Sequence, residues 1–108
     1  MYPNGYICAT NTVQHSDEFK EWLKGLKDQV AKAGILARIK RLAGDNMGDA
    51  KHFDGISELR IDCGPDYRVY VARKGNTMYL LLCGGDKSSQ QKDIVKAKKI
   101  LAASSSLG

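Results

Sequence analysis

Residues 57–74 read SELRIDCGPDYRVYVARK, and their pattern indicates the kind of sheet that the chain forms. Apolar and polar residues alternate on both sides of Gly64-Pro65-Asp66, which is the pattern of two β-strands joined by a turn. A third alternating segment, Met78–Leu82, follows the two-residue hairpin signal Gly75-Asn76. Because short connections join neighbouring strands that run in opposite directions, the sequence predicts a three-stranded antiparallel meander.

The chain before residue 51 has the period of helices. Ser16 is placed to cap a first helix, whose apolar residues recur at three- and four-residue steps: Phe19, Trp22, Leu23, Leu26 and Val30. A second apolar stripe begins at Ile35 and stops at Gly44. The two stripes predict a helical hairpin broken near residues 28–33, although one long bent helix fits the same pattern. We interpret the basic residues of the second stripe as a solvated face: Lys32, Arg38, Lys40 and Arg41.

The two ends of the chain complete the predicted order of elements. Tyr6–Thr10 has the composition of a first strand, and Ser88 with Gln91 forms a capping box that opens a last helix. We therefore expect an α+β fold with an N-terminal strand, a two-helix hairpin, a three-stranded antiparallel meander and a C-terminal helix. Residues 1–103 are expected to form a single domain, and residues 104–108 a frayed tail.

Composition narrows the classes of function. Lys and Arg total 17 against 12 Asp and Glu, so the formal charge of +5 suits an acidic partner. No apolar run approaches the ~20 residues that span a bilayer, and the start of the chain lacks a signal-peptide pattern, so we expect a cytoplasmic protein. Cys8, Cys63 and Cys83 are widely separated and predict neither a disulfide framework nor a zinc site; no metal or cofactor is expected.

Two arginines lie within the predicted strands. Arg60 and Arg68 alternate with the apolar positions, so both side chains are expected on the sheet face away from the N-terminal helices. One interpretation is a cross-strand salt-bridge network with nearby carboxylates. The other is an anion-binding face, to which the loop after the third strand adds Lys87. Lys51 and Arg73 are further candidates for contact with RNA, and the ring of Tyr70 for stacking on a base.

Several segments together resemble the HigB-like addiction-module killer proteins of the RelE/ParE toxin superfamily. They are FKEWLKGL, AKAGILARIKRLAGDNMGDAK, ELR, GPDYRVYV and LLLCGGDKSSQQKDIVKAK. The resemblance implies the toxin of a type II toxin-antitoxin system, held inactive by a helix-turn-helix antitoxin in a heteromeric complex. It further implies an mRNA interferase: a metal-independent endoribonuclease that cuts messenger RNA on the ribosome and so inhibits translation.

The same resemblance assigns roles to residues. Arg60 of ELR, Arg68 of YRVY and Lys87 of GGDKSS become the candidate catalytic residues, with the arginines stabilising the charge of an attacked phosphate. The proton-transfer group that some members carry near the C-terminus is missing, which leaves Tyr70, His52 and Lys87 as candidates. Two other functions stay open: a ParE-like inhibitor of DNA gyrase that cleaves nothing, and an antitoxin-binding module without remaining catalysis.

Overall fold

The computed structural model describes residues 12–44, 46–53, 55–62, 66–75 and 78–107. Within these ranges the chain forms five strands and three α-helices in an α+β arrangement. In chain order the elements are β1 (Thr12–His15), α1 (Asp17–Gly25), α2 (Gln29–Ala43), β2 (Ala50–Phe53), β3 (Ile56–Ile61), β4 (Tyr67–Lys74), β5 (Met78–Gly85), a short 3-10 helix (Lys87–Ser89) and α3 (Gln90–Leu107).

The predicted fold is wrong in its sheet. The described strands form one five-stranded mixed sheet in the order β1-β5-β4-β3-β2, not an N-terminal strand with a three-stranded meander. β3, β4 and β5 are antiparallel neighbours, whereas β1 lies at one edge and runs parallel to β5. The strand predicted at Tyr6–Thr10 lies outside the described residues, and the strand that precedes α1 is Thr12–His15.

The strand missing from the prediction is β2, which pairs antiparallel with β3 at the other edge of the sheet. Only residues 54 and 55 separate the two strands, and Gly55 has a φ of +85°. Asp-Gly between two strands is a strong hairpin signal, because both central residues of the favoured turn need positive φ. The signal was present in the sequence, but the polar pair Lys51-His52 concealed the alternation of β2.

The N-terminal helices are two, and the alternative of one bent helix is wrong. Ser16 caps α1 by accepting a hydrogen bond from the Phe19 amide at 3.0 Å, as predicted. Its hydroxyl also donates to the Leu82 carbonyl at 2.6 Å, which ties the start of α1 to β5. Asp28 caps α2 by accepting from the Ala31 amide at 3.1 Å, so the break falls at residues 26–28.

Helices cover both faces of the sheet. The α1/α2 face holds one apolar cluster, built around Phe19, Ile35, Leu59 and Val69. The opposite face holds a second cluster in which Ala97 of α3 meets strand residues: Ile56, Tyr70, Ala72, Leu80, Leu82 and Cys83. Side chains that alternate away from the first cluster are therefore buried under α3 along much of their strands.

The start and end of α3 also differ from expectation. The predicted capping box of Ser88 and Gln91 is wrong, because Asp86 caps this turn and accepts from the Ser88 amide at 2.9 Å. α3 runs to Leu107, into the segment for which we expect fraying. Val95 of α3 is 53% exposed and points away from the sheet. No helix in the described part of the chain is long and apolar enough to cross a membrane.

Candidate functional site

A cleft of about 500 Å³ opens at one end of the sheet, where β3 ends, β4 begins and β5 leads into the 3-10 helix. It brings together the three candidate catalytic residues Arg60, Arg68 and Lys87 from separate segments of the chain. The complete lining is Arg38, Asp49, Arg60, Ile61, Asp62, Asp66, Tyr67, Arg68 and Lys87.

The two arginines are direct cross-strand partners in the β3–β4 ladder. Their environments are nevertheless very different. The Arg60 side chain is 50% exposed, with Nη2 at 3.6 Å from Oδ1 of the exposed Asp49. The Arg68 side chain is only 9% exposed, with Nε at 3.4 Å from Oε2 of Glu58. Both lie on the face away from α1 and α2, as predicted, but Arg68 is buried because α3 covers that face.

Glu58 is the centre of a buried polar cluster beneath the cleft. Its side chain is 1% exposed, and Oε2 accepts hydrogen bonds from the Tyr70 hydroxyl at 3.2 Å and from Gln90 Nε2 at 2.8 Å. Burial, together with the adjacent Glu58 carboxylate, raises the pKa of Tyr70. The phenol is therefore a neutral donor to Glu58 at every ordinary pH.

Arg38 holds the rim of the cleft and does not belong to a solvated face. Its guanidinium donates to the backbone carbonyls of Arg60, Met47 and Asp49, the last at 3.0 Å. Gly48, with a φ of +64°, lies against the guanidinium, and a Cβ there would be 3.1 Å from Nη2. Burial lowers the pKa of Arg38, partly offset by the nearby Asp49. This arginine thus fixes the loop before β2 onto the end of β3.

The sequence GGDKSS delivers Lys87 to the cleft through close packing. A Cβ on Gly84 would lie 2.4 Å from the Trp22 ring, and one on Gly85 would lie 1.9 Å from Asp93 Oδ2. Both glycines are therefore required by side chains that approach β5 from opposite faces. Asp86 then turns the chain, and its hydrogen bond from the Ser88 hydroxyl lowers the pKa of its carboxyl.

Lys87 differs from the rest of this segment. Its side chain is exposed and makes no hydrogen bond or ion pair with any described residue. The hydroxyl of Ser89, by contrast, donates to Asp93 Oδ2, and that of Ser88 donates to Asp86. Among these side chains, Lys87 is the one left for a ligand.

Four other predicted site residues lie away from the cleft. Tyr70 is 0% exposed under α3. His52 Nδ1 lies 2.7 Å from the Ser57 hydroxyl at a separate hollow. The ammonium of Lys51 lies 5.4 Å from the centre of the Phe53 ring. Arg73 donates to the Tyr79 hydroxyl at 2.8 Å, at the opposite end of β4 from Arg68.

Tyr67 and Asp49 line the cleft and were not among the predicted site residues. Tyr67 is partly buried, with its ring edge-on to Trp22 at 6.0 Å between centroids. Its position next to Arg68 at the start of a strand was a usable signal. Asp49 had no comparable signal, because only the unpredicted strand β2 brings it beside Arg60.

The cleft combines cations and carboxylates. Among the described residues, Arg38, Arg60, Arg68 and Lys87 oppose three aspartates. Arg38 is committed to backbone carbonyls, which leaves Arg60, Arg68 and Lys87 to contact an anion. Guanidinium and ammonium groups so arranged suit a phosphate, and Tyr67 with the aspartates supplies groups that exchange protons or contact a base.

No family model matches this chain, but it is similar to a known protein. An uncharacterized protein of Haemophilus influenzae is 57% identical over 81 residues, which cover 74% of this chain and 82% of that protein. At this identity and coverage the chain belongs to the same family as the Haemophilus protein.

Proposed function

We propose that this chain is the toxin of a type II toxin-antitoxin module, a ribosome-dependent endoribonuclease that cuts messenger RNA. One observation carries the proposal: Arg60, Arg68 and Lys87, from three separate segments, line the same cleft. They are the residues to which the resemblance to HigB-like killer proteins assigns catalysis. Converging basic side chains are what a phosphodiester requires, because they stabilise the charge that develops during its cleavage.

The proposed reaction is an internal transfer within RNA. The ribose 2′-oxygen attacks the adjacent phosphorus, and the bond from phosphorus to the next 5′-oxygen breaks. A base takes the proton of the 2′-hydroxyl and an acid protonates the leaving 5′-oxygen, giving a 2′,3′-cyclic phosphate and a 5′-hydroxyl. Arg60 and Arg68 stabilise the pentacoordinate phosphorus, and Lys87 holds a neighbouring phosphate oxygen.

The cleft changes the assignment of the remaining roles. Tyr70 is buried against Glu58, and His52 pairs with Ser57 elsewhere, so neither is placed to exchange a proton with RNA in the cleft. We propose that Tyr67 provides the aromatic contact with a base and that proton transfer falls to Tyr67 and the aspartates. The protein acts in the cytoplasm, with a helix-turn-helix antitoxin as its partner.

A second function is supported by a separate observation. Tyr70 and His52, two of the predicted proton-transfer groups, lie away from the cleft, and the basic residues of the cleft can bind an anion without cleaving it. This favours a ParE-like inhibitor that binds DNA gyrase and breaks no phosphodiester. The third possibility, an antitoxin-binding module without catalysis, is supported only by the same position of Tyr70 and His52 away from the cleft.

The test is induced expression followed by growth measurement and by mapping of RNA 5′ ends. The wild type should arrest growth and create new 5′-hydroxyl ends within coding frames. Lys87→Ala should remove both effects, because the cleft then loses a cation. The fold should be unaffected, because the side chain contacts no other described residue through a hydrogen bond or ion pair. Lys99→Ala, an exposed lysine on α3 that does not line the cleft, is the matched control and should behave as wild type.

Two outcomes would contradict the nuclease. Growth arrest with unchanged RNA ends and altered plasmid supercoiling would support the gyrase inhibitor. Absence of arrest by the well-expressed wild type, with no complex formed on co-expression of the neighbouring open reading frame, would reject the toxin altogether.

A further inference from the structure

Glu58 is a buried carboxylate that does not line the cleft, yet it pairs with an arginine that does. Its side chain is 1% exposed and lies under α3. Arg68 Nε approaches Oε2 to 3.4 Å, and Tyr70 and Gln90 hydrogen-bond to the same oxygen. Three polar side chains from β4 and α3 therefore converge on one carboxylate oxygen of β3.

Such an arrangement is not explained by stability alone. Burying a charge pair is expensive, and apolar residues of similar volume often stabilise a core as well or better. The neighbouring positions on this face are apolar: Ile56, Ala72, Leu80 and Leu82. A buried carboxylate among these apolar residues therefore needs a reason other than stability. Its ion-pair partner is Arg68, an arginine that lines the cleft.

Arg68 has an ion pair at one nitrogen and a hydrogen bond at another. Nε lies 3.4 Å from Glu58 Oε2, where it makes an ion pair without a hydrogen bond, and Nη1 donates to the Asp66 carbonyl at 3.0 Å. Nη2 has no partner among the described residues. An ion pair at one nitrogen and a hydrogen bond at a second restrict the rotation of a planar guanidinium, so the group is oriented before any ligand arrives.

We infer that Glu58 is a positioning residue, which orients the Arg68 guanidinium so that its remaining nitrogen contacts a phosphate of single-stranded RNA in the cleft. The inference rests on the proposed function for the identity of the ligand. The orientation of Arg68 by Glu58 is independent of it. Glu58 itself touches no RNA, and its effect passes entirely through Arg68.

The test combines RNA affinity with a direct reading of the Arg68 side chain in the full chain. The probe is a short 2′-O-methyl RNA, which lacks the attacking hydroxyl and so reports binding without cleavage. Glu58→Gln keeps the shape and removes the charge. We expect affinity to fall about tenfold, the equivalent of one charged hydrogen bond made less well. The ¹⁵N resonance of Arg68 Nε, assigned by its loss in Arg68→Ala, should shift and exchange faster with water.

A double-mutant comparison separates positioning from a general loss of stability. In an Arg68→Ala background, Glu58→Gln should cause no further loss of affinity, although it still changes the melting temperature. Ile56→Val, a change in the same buried layer, is the control and should lower the melting temperature without weakening RNA binding. Glu58→Asp, which keeps the charge but withdraws it by one methylene, replaces Glu58→Gln if that variant does not fold.

The possible results divide cleanly. Wild-type affinity in Glu58→Gln, or an equal loss with and without Arg68, would overturn the inference. If the wild type binds neither this RNA alone nor ribosomes carrying it, the proposed function fails, and the Arg68 resonance decides whether Glu58 positions Arg68. If Glu58→Gln leaves the Arg68 resonance unchanged, Glu58 does not position Arg68. If the resonance moves, Glu58 positions Arg68 for an anion other than RNA.

Discussion

Replacing each arginine of the Arg60–Arg68 pair by alanine should give very different losses of stability, although the two residues are opposite each other in one ladder. Arg60 and its partner Asp49 are exposed, and such surface pairs contribute at most about 1 kcal/mol. Arg68 is buried beside a buried carboxylate. Removing one member of a buried pair costs about 3–5 kcal/mol, because the other charge stays desolvated.

The structure places Arg68→Ala towards the lower end of that range. Glu58 keeps its hydrogen bonds from Tyr70 and Gln90, and the space left by the side chain opens towards the cleft, where water enters. We therefore expect a loss of about 3–4 kcal/mol, against about 0.5 kcal/mol for Arg60→Ala. For a domain of this size the first value lowers the melting temperature by roughly 15 °C.

Urea unfolding followed by Trp22 fluorescence measures the difference. Trp22 is the only tryptophan of the chain and packs on Gly84, next to the end of the sheet that holds the cleft. The midpoint should fall in Arg68→Ala with an unchanged slope, and stay near wild type in Arg60→Ala. Equal midpoints for the two variants would refute the argument from burial. Because Arg60→Ala should keep its stability, a loss of function in this variant is easier to interpret than one in Arg68→Ala.

The packing and the shifted pKa values lead to three further predictions. Gly84→Ala should destabilise by about 1–3 kcal/mol and shift Trp22 fluorescence, whereas Gly25→Ala, with no atom within 4 Å of its Cβ, should be neutral or slightly stabilising in urea unfolding. Cys83, whose pKa burial raises to about 12, should resist alkylation at pH 8 in the folded protein and react on unfolding, as mapped by mass spectrometry. The pKa of Tyr70 is raised on folding, so its contribution to stability is complete below pH ~10 and is lost as the pH rises further. In Tyr70→Phe the free energy of unfolding should therefore fall less between pH ~10 and higher pH than in the wild type.

Local patterns predicted the helices and strands whose signals are short-range. Ser16 before a run of apolar residues at helical spacing was sufficient for the start of α1. Alternation and turn residues were sufficient for the pairing of β3, β4 and β5, and hence for the neighbourhood of Arg60 and Arg68. The parallel pairing of β1 with β5 joins residues more than 60 positions apart, and no local pattern records it.

The burial of Arg68 and Tyr70 was missed because alternation identifies two faces without saying whether each is covered. The sequence of β5 indicated that both faces of the sheet are covered. Met78–Cys83 is apolar at every position, which is typical of a strand buried on both faces. A sheet with such a central strand needs a helix on each side, and α3 is the helix that remains. Tyr70 then becomes a core residue, and a charge beside it needs a buried partner, which Glu58 supplies.

Packing and function can be told apart within GGDKSS, the segment that contributes most to the resemblance. Gly84 and Gly85 are explained by the approach of Trp22 and Asp93, and the acid and serines that follow are explained by the turn they cap. Substituting any of these residues would destabilise the fold, so a loss of activity could not be assigned to catalysis. Lys87 has no such explanation among the described residues, so it is the position at which activity and stability should separate most clearly.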